Sequence, residues 1–478
     1  MELKKNYIDV ETLKKSQCAI KKIFFYRICG TGMGAAACLL KEAGYHIEGG
    51  DTNFYPPMST YLKSTNILLH DLDSFNLENL KEFDLIVIGN VVPKNGQEAK
   101  KLEQIGTLFC SFPAAIGALV LCRQNVVGIA GTHGKTTTTY LLTQIFEKLG
   151  KKPGYLIGGV LPERNSSRIG DGSYFFIEAD EYDCAYFEKI SKFRQYYINH
   201  LILTSLEFDH ADIFASLEDI VKEFSHLMPT INKSLIGCSD YPEIEKLSKL
   251  EQVNLSSVNF YGESSKMVPE IISMTSRGSE FKIRYKAVDY NFKTNLLGVH
   301  NILNLTACLI FAFNEGVTYQ ELQHSISELK LVKRRQEERG LYKESLIIDD
   351  FAHHPKAVHY TIAGLKLKFP DKKLVVFMEP NSATARSSLF QDEFVAALKL
   401  ADKTVLIQPA KSTSIDRLGN IDCSFMSSQL NQSIAVNSLG KLREQIEQNT
   451  DRNNVLVFLS NGTCLGLWES DFADAIVS

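Results

Sequence analysis

Short apolar runs, many of them rich in β-branched or aromatic residues, recur along the chain and alternate with longer stretches of helical period. Nine runs predict strands: KIFFYRI, DLIVIGN, NVVGIAG, SYFFIEA, HLILTS, SLIIDD, KLVVFME, TVLIQ and NVLVFLS. Strands that alternate with helices from end to end predict an α/β fold with mainly parallel sheets. The 478 residues are too many for one hydrophobic core. Two stretches, SFPAAIGALVLCRQN and ISELKLVKRRQEERG, read as boundaries, which divides the chain into domains at 1–120, 121–330 and 331–478. Residues 1–20 read as a polar helical extension. Residues 235–297 are more polar and strand-like, and read as an antiparallel addition to a parallel sheet.

Composition narrows the class. A 44% hydrophobic and 23% charged chain is globular, and a formal charge of −4 offers no basic field for nucleic acid. No stretch approaches the roughly 20 apolar residues of a membrane span, and the start MELKKNYIDVETLKKSQ lacks the apolar core of a secretory signal. A cytoplasmic protein with no membrane or nucleic-acid partner is expected. The 10 cysteines show no CxxC pair or metal spacing and read as reduced thiols. Oligomeric state is not disclosed.

Two glycine loops carry the chemistry. The first, ICGTGMGAAACLLKEAGYHIEGGD, places Gly30, Thr31, Gly32, Met33 and Gly34 between a strand and a helix, with Asp51 ending the next strand. That is the pattern of a dinucleotide-binding turn. The second, Gly131-Thr132-His133-Gly134-Lys135-Thr136-Thr137, follows a strand and opens a helix whose N-terminal N–H groups suit phosphate. Lys135 fits the β- and γ-phosphates of ATP and Thr136 fits Mg²⁺, although Ile129 stands where the full loop has its first glycine. A hydride-transferring enzyme has no use for this second loop.

Two predicted strands end in acidic clusters, one with Glu178, Asp180, Glu181 and Asp183, the other with Glu207, Asp209, His210 and Asp212. Strand ends of a parallel sheet face one crevice, so both clusters can converge on Lys135. Oxygen ligands suit Mg²⁺, and His210 suits a second metal. GVHNILN sets Asn301 and Asn304 one helical turn apart, KRRQEERG supplies Arg335, and IIDDFAHHP sets Asp350 and His353 at a strand end.

GTHGKTTT, EADE, DHAD, GVHNILN and DDFAHHP, in this order, resemble the Mur ligase family of ATP-dependent amide-forming enzymes of peptidoglycan metabolism. ICGTGMG, DTNFYPPMST, EADEYDCAYFEKISKF and DDFAHHPKA are similar to the branch that joins UDP-N-acetylmuramate to the murein tripeptide L-alanyl-γ-D-glutamyl-meso-diaminopimelate, in cell-wall recycling. The resemblance implies a Rossmann-like N-terminal domain for the UDP sugar, a central P-loop ATPase domain and a C-terminal Rossmann-like domain for the amine. It implies that the first glycine loop and Asp51 hold the UDP sugar, and that Thr136, Glu178 and His210 serve Mg²⁺. It assigns Asn304, Arg335 and Asp350 to ATP, makes Lys135, His210 and His353 catalytic, and offers Arg386 and Asn461 as contacts to the peptide. Ser225 and His226 occupy the register in which several relatives carry a carbamylated lysine, so no such modification is expected. The competing expectations are the relative that adds free L-alanine, a nicotinamide-dependent oxidoreductase and a nucleotide-switched binding protein.

Overall fold

A computed structural model describes residues 5–54, 58–409 and 418–477. They form two compact units: residues 1–207, 218–266 and 307–325 make the first, and residues 208–217, 267–306 and 326–478 the second. Among the described residues no helix is long and apolar enough to cross a membrane.

The first unit holds two parallel sheets. The leading one contains β1 (Lys22–Tyr26), β2 (His46–Asp51), β3 (Leu68–Asp71), β4 (Leu85–Ile88) and β5 (Phe109–Ser111) in the order β3-β2-β1-β4-β5. The order reverses at β1, whose two neighbours continue in opposite directions and leave a crevice beyond their carboxyl ends. The extension forms the helix Val10–Ser16, capped by Asp9, and Tyr7 bridges to Phe109 on the sheet edge.

The second sheet contains β6 (Asn125–Ala130), β7 (Gly154–Leu156), β8 (Ser167–Arg168) and β9 (Tyr174–Glu178), then β12 (Ile198–Leu203), β13 (Ser234–Cys238) and β14 (Ser257–Tyr261). Its order is β14-β13-β12-β6-β9-β7-β8, all parallel except β8. The intervening hairpin, β10 (Asp183–Ala185) and β11 (Glu188–Ser191), joins neither sheet. Its turn instead fills the leading sheet's core, where Tyr186 packs with Phe24, Ile86 and Phe109. Glu188 accepts hydrogen bonds from Ser111, Tyr7 and Gln195.

The second unit has a three-stranded antiparallel sheet, β15 (Glu270–Thr275), β16 (Gly278–Tyr285) and β17 (Val288–Thr294). The polar segment 235–297 is therefore not one antiparallel addition. β13 and β14 extend the parallel sheet, while β15–β17 pair only with one another. Polar outward positions gave both the same sequence appearance.

The larger sheet contains β18 (Glu337–Tyr342), β19 (Ser345–Asp350), β20 (Lys373–Glu379), β21 (Lys403–Ile407), β22 (Ser433–Val436) and β23 (Asn454–Ser460), in the order β18-β19-β23-β20-β21-β22. Alternate residues feed opposite faces: Val376, Met378, Val455 and Val457 enter one core, Val375, Phe377, Leu456 and Phe458 the other. Burial on both faces explains the unbroken apolar runs.

Candidate active site

At the first loop, Gly30 caps the helix Thr31–Glu42 at the crevice. A Cβ on Gly34 would lie 2.2 Å from Met58 Sδ, so this glycine permits close packing. Asp51 is already engaged: its carboxylate accepts from Cys29 N–H at 2.9 Å and Thr52 N–H at 2.8 Å, with the Arg27 guanidinium beside it. It braces the loop from below. Sequence reasoning passed over Arg27, which adopts φ 67° and also contacts Thr52 and Glu98. A charged side chain at the end of an apolar strand, three residues before Gly30, was the available signal.

The second loop lies between β6 and the helix Lys135–Lys148. Ile129 replaces a glycine without cost because it is still within β6, paired with Glu178 on β9 and Ile202 on β12. The turn proper needs its glycines: Gly131 has φ 127° and Gly134 φ 85°. A Cβ on Gly131 would meet Thr204 Oγ1 at 2.5 Å and the Ser205 backbone at 2.7 Å. Those two residues follow β12 and grip the loop, since His133 N–H donates to Ser205 Oγ at 2.8 Å and the Thr204 hydroxyl donates to the His133 carbonyl. Thr132 Oγ1 accepts from Glu207 N–H at 2.8 Å, and the His133 ring stands 3.2 Å from the Glu207 carboxylate.

β9 and β12 flank β6, so Glu178 and Glu181 after the one and Glu207 after the other border the loop. Lys135 Nζ donates to the Gly131 carbonyl at 2.7 Å and reaches both oxygens of Glu181, at 3.1 and 3.2 Å. Burial alone pulls the Lys135 pKa down, but Glu181 and Asp180 more than offset it and hold the ammonium charged. Thr136 Oγ1 donates to Glu178 at 2.9 Å, and Gly158 N–H donates to the other Glu178 oxygen at 2.6 Å. Burial raises the Glu178 pKa despite these donors, the behaviour of a carboxylate short of positive charge. A hydroxyl and a half-buried carboxylate at contact distance are hard oxygen donors of the kind Mg²⁺ takes.

The second unit holds the other expected residues. Asp209 has its pKa lowered to about 2: burial opposes this, but charge on His210, His353 and His354 outweighs it. His210 has φ 53°, and its N–H donates to Asp209 at 2.7 Å. His353 Nδ1 lies 2.9 Å from the Phe351 carbonyl. Asp350 accepts from Gln336 N–H at 2.8 Å and Ala352 N–H at 2.7 Å, and burial raises its pKa in spite of Arg335. The Arg335 guanidinium lies over the Phe351 ring. Asn301 donates to the Leu297 carbonyl at 2.7 Å, while Asn304 is buried one turn further along the helix Val299–Asn314. Arg386 and Asn461 lie in the loops after β20 and β23. The stretch YPPMST begins with Tyr55, Pro56 and Pro57, which lie outside the described residues.

Three family models match the chain in succession: the Mur ligase catalytic domain over residues 22–122, the Mur ligase middle domain over 129–312 and the Mur ligase glutamate ligase domain over 334–462. A UDP-N-acetylmuramate--L-alanyl-gamma-D-glutamyl-meso-2,6-diaminoheptandioate ligase of Haemophilus influenzae is 34% identical, over 82% of this chain and 86% of that protein. The chain belongs to the Mur ligase family. A UDP-N-acetylmuramate--L-alanine ligase of Lactobacillus acidophilus is 30% identical, over 92% of this chain and 96% of that one. The crystal structure of a murein peptide ligase from Psychrobacter arcticus is 28% identical and superposes with a TM-score of 0.70, covering 96% of this chain and all of that one. This Mur ligase thus has the expected α/β architecture with parallel sheets.

Proposed function

We propose that this Mur ligase joins UDP-N-acetylmuramate to L-alanyl-γ-D-glutamyl-meso-diaminopimelate at the expense of ATP, in the cytoplasm, as a step of peptidoglycan recycling. The observation that carries the reading is the Lys135–Glu181 and Thr136–Glu178 pairing around a glycine loop, in a chain whose relatives at 34% identity include a ligase of that tripeptide. Domain limits near residues 121 and 330 belong to the same proposal.

An amide forms from a carboxylate only after activation. The lactyl carboxylate attacks the γ-phosphorus in line, the bond to the β-phosphate oxygen breaks, and an acyl phosphate and ADP result. The peptide amine then adds to the acyl carbon, and phosphate departs as the amide forms. N–H groups at the start of the helix Lys135–Lys148 and the Lys135 ammonium receive the phosphates, Lys135 exchanging Glu181 for phosphate oxygen. Thr136 and Glu178 would hold Mg²⁺, which neutralises phosphate charge when bound, and His210 is assigned to a second ion. Arg335 serves the γ-phosphate, Asn304 and Asp350 the nucleoside, His353 the incoming amine or phosphate, and Arg386 and Asn461 the peptide. Residues Gly30 to Gly34 receive the sugar diphosphate. Asp51 is placed with them, and it also supports that loop through the Cys29 N–H.

The test is phosphate release with ATP, Mg²⁺ and UDP-N-acetylmuramate, with the tripeptide or L-alanine as acceptor. Turnover with the tripeptide alone is expected. Turnover with L-alanine alone would overturn the acceptor assignment and favour the second reading, for which the Lactobacillus acidophilus relative speaks.

A further inference from the structure

The carboxyl end of β20 carries a buried carboxylate for which the chemistry above has no use. Glu379 is 4% exposed. It accepts from Ser460 Oγ at 2.5 Å, Cys464 N–H at 3.0 Å and Leu465 N–H at 3.2 Å. All three donors belong to the end of β23 and the loop after it. Gly462 N–H donates to Ser460 Oγ at 2.8 Å, which extends the chain of bonds through the loop.

That loop has an unusual backbone. Cys464, Leu465 and Gly466 are successively left-handed, with φ 52°, 56° and 83°. L-residues adopt this conformation only against a steric cost, and here it turns successive N–H groups onto one anion. The anion is Glu379, so loop shape and buried charge depend on each other. Arg334 forms a second bracket: Nη2 donates to the carbonyls of Ser460 at 2.6 Å and Gly462 at 3.0 Å, and Nε lies against Asp349.

Two loops are fixed in this way. Asn381 lies against Gly462, where a Cβ would come within 2.2 Å of its Nδ2 and 2.6 Å of Glu379 Oε2. Further along the same loop, Thr384 Oγ1 accepts from Ala211 N–H at 3.1 Å, tying it to the residue after His210. One buried donor, Arg386 Nε, and one buried acceptor, Asn461 Oδ1, have no hydrogen-bond partner in these loops. A peptide carrying carboxylates and N–H groups offers the acceptor and the donor that these two atoms lack.

We propose that Glu379 is a positioning residue for acceptor uptake: by holding the 460–466 loop against the 379–386 loop it sets the places of Asn381, Arg386 and Asn461 around the incoming peptide. The proposal rests on the ligase reading, and its test separates the two. Glu379→Gln sets an amide N–H against one of the three donors, and Ser460→Ala removes one donor while keeping the charge. In Glu379→Gln the acceptor KM should rise about 10- to 100-fold, from the loss of a charge-assisted bond. KM for ATP and UDP-N-acetylmuramate should stay within about twofold, with Ser460→Ala intermediate for the acceptor. Both variants should also speed hydrogen exchange at the Cys464 and Leu465 amides, a readout that needs no turnover. Unchanged exchange, or an unchanged acceptor KM beside a general fall in kcat, would overturn the role of Glu379. Wild-type protein that uses L-alanine and refuses the tripeptide would overturn only the acceptor assignment, and the same KM comparison then runs with L-alanine. If Glu379→Gln does not fold, Ser460→Ala carries the test.

Discussion

Substituting Gly131 by alanine isolates the geometry of the nucleotide loop. At φ 127° an L-residue is strained, by roughly 1–3 kcal/mol. The new methyl would also meet Thr204 Oγ1 at 2.5 Å and both the N and O of Ser205 at 2.7 Å. Backbone atoms cannot rotate away, so relief requires β12's trailing residues to move, an overpacking cost of about 1–3 kcal/mol. Together these give about 2–6 kcal/mol, and the displaced residues are those that bind His133. Gly150→Ala is the control, because its φ of 72° is also positive but nothing lies within 4 Å of its Cβ; it should cost only about 1–2 kcal/mol. The assay is the urea midpoint of each variant together with ATP affinity from a fluorescent nucleotide analogue. Gly131→Ala should show the larger midpoint loss and at least tenfold weaker nucleotide binding, Gly150→Ala unaltered binding. Equal midpoints, or intact nucleotide affinity in Gly131→Ala, would refute the argument from loop geometry.

Three other outcomes are expected. Glu178→Gln keeps the bond to Thr136 but removes charge, and should raise the Mg²⁺ concentration for half-maximal turnover about tenfold or more with little change in thermal midpoint; an unaltered Mg²⁺ requirement would remove Glu178 from the metal site. His200 is buried beside Ser234, and burial assisted by Lys233 lowers its pKa to about 4. The unfolded chain then binds the proton first, so stability should fall as pH drops from about 6.5 to 4, by roughly 1.4 kcal/mol per unit, and His200→Asn should flatten that dependence in urea titrations at several pH values. Tyr186→Ala should destabilise the leading sheet by about 3–5 kcal/mol, seen as faster proteolysis of residues 22–111, because Tyr186 is core there and donates to Glu103.

The sequence made legible what local pattern determines. The GTHGKTT loop, the strand on each side of it ending in acid and the unbroken apolar runs each depend on a few neighbouring residues. The structure sets Glu178 beside Thr136 and Glu181 beside Lys135, as strand-end reasoning anticipated. Other features depend on long-range approach and left no local trace. Asp51 has the spacing of the fingerprint's acid, and only the folded chain shows Cys29, Thr52 and Arg27 gathered around its oxygens. Glu379 looks like the end of any buried strand, and only the return of β23 beside β20 gives it Ser460, Cys464 and Leu465. The split between β13–β14 and β15–β17 was hidden because sheet membership is decided by pairing partners, which similar half-polar strands do not specify.

The hairpin β10–β11 bears on how this protein is made. Ser111 ends the leading sheet, yet its partner Glu188 is 77 positions later, and Tyr186 completes the apolar layer over Phe24 and Ile86. At ribosomal speeds of about 5–20 residues per second, that interval is roughly 4–15 s. During those seconds the emerging N-terminal sheet lacks part of its own interior, an opening that a chaperone can occupy and that expression of residues 1–120 alone would make permanent. The shortest autonomous N-terminal piece should therefore extend past Gln195, which also anchors Glu188.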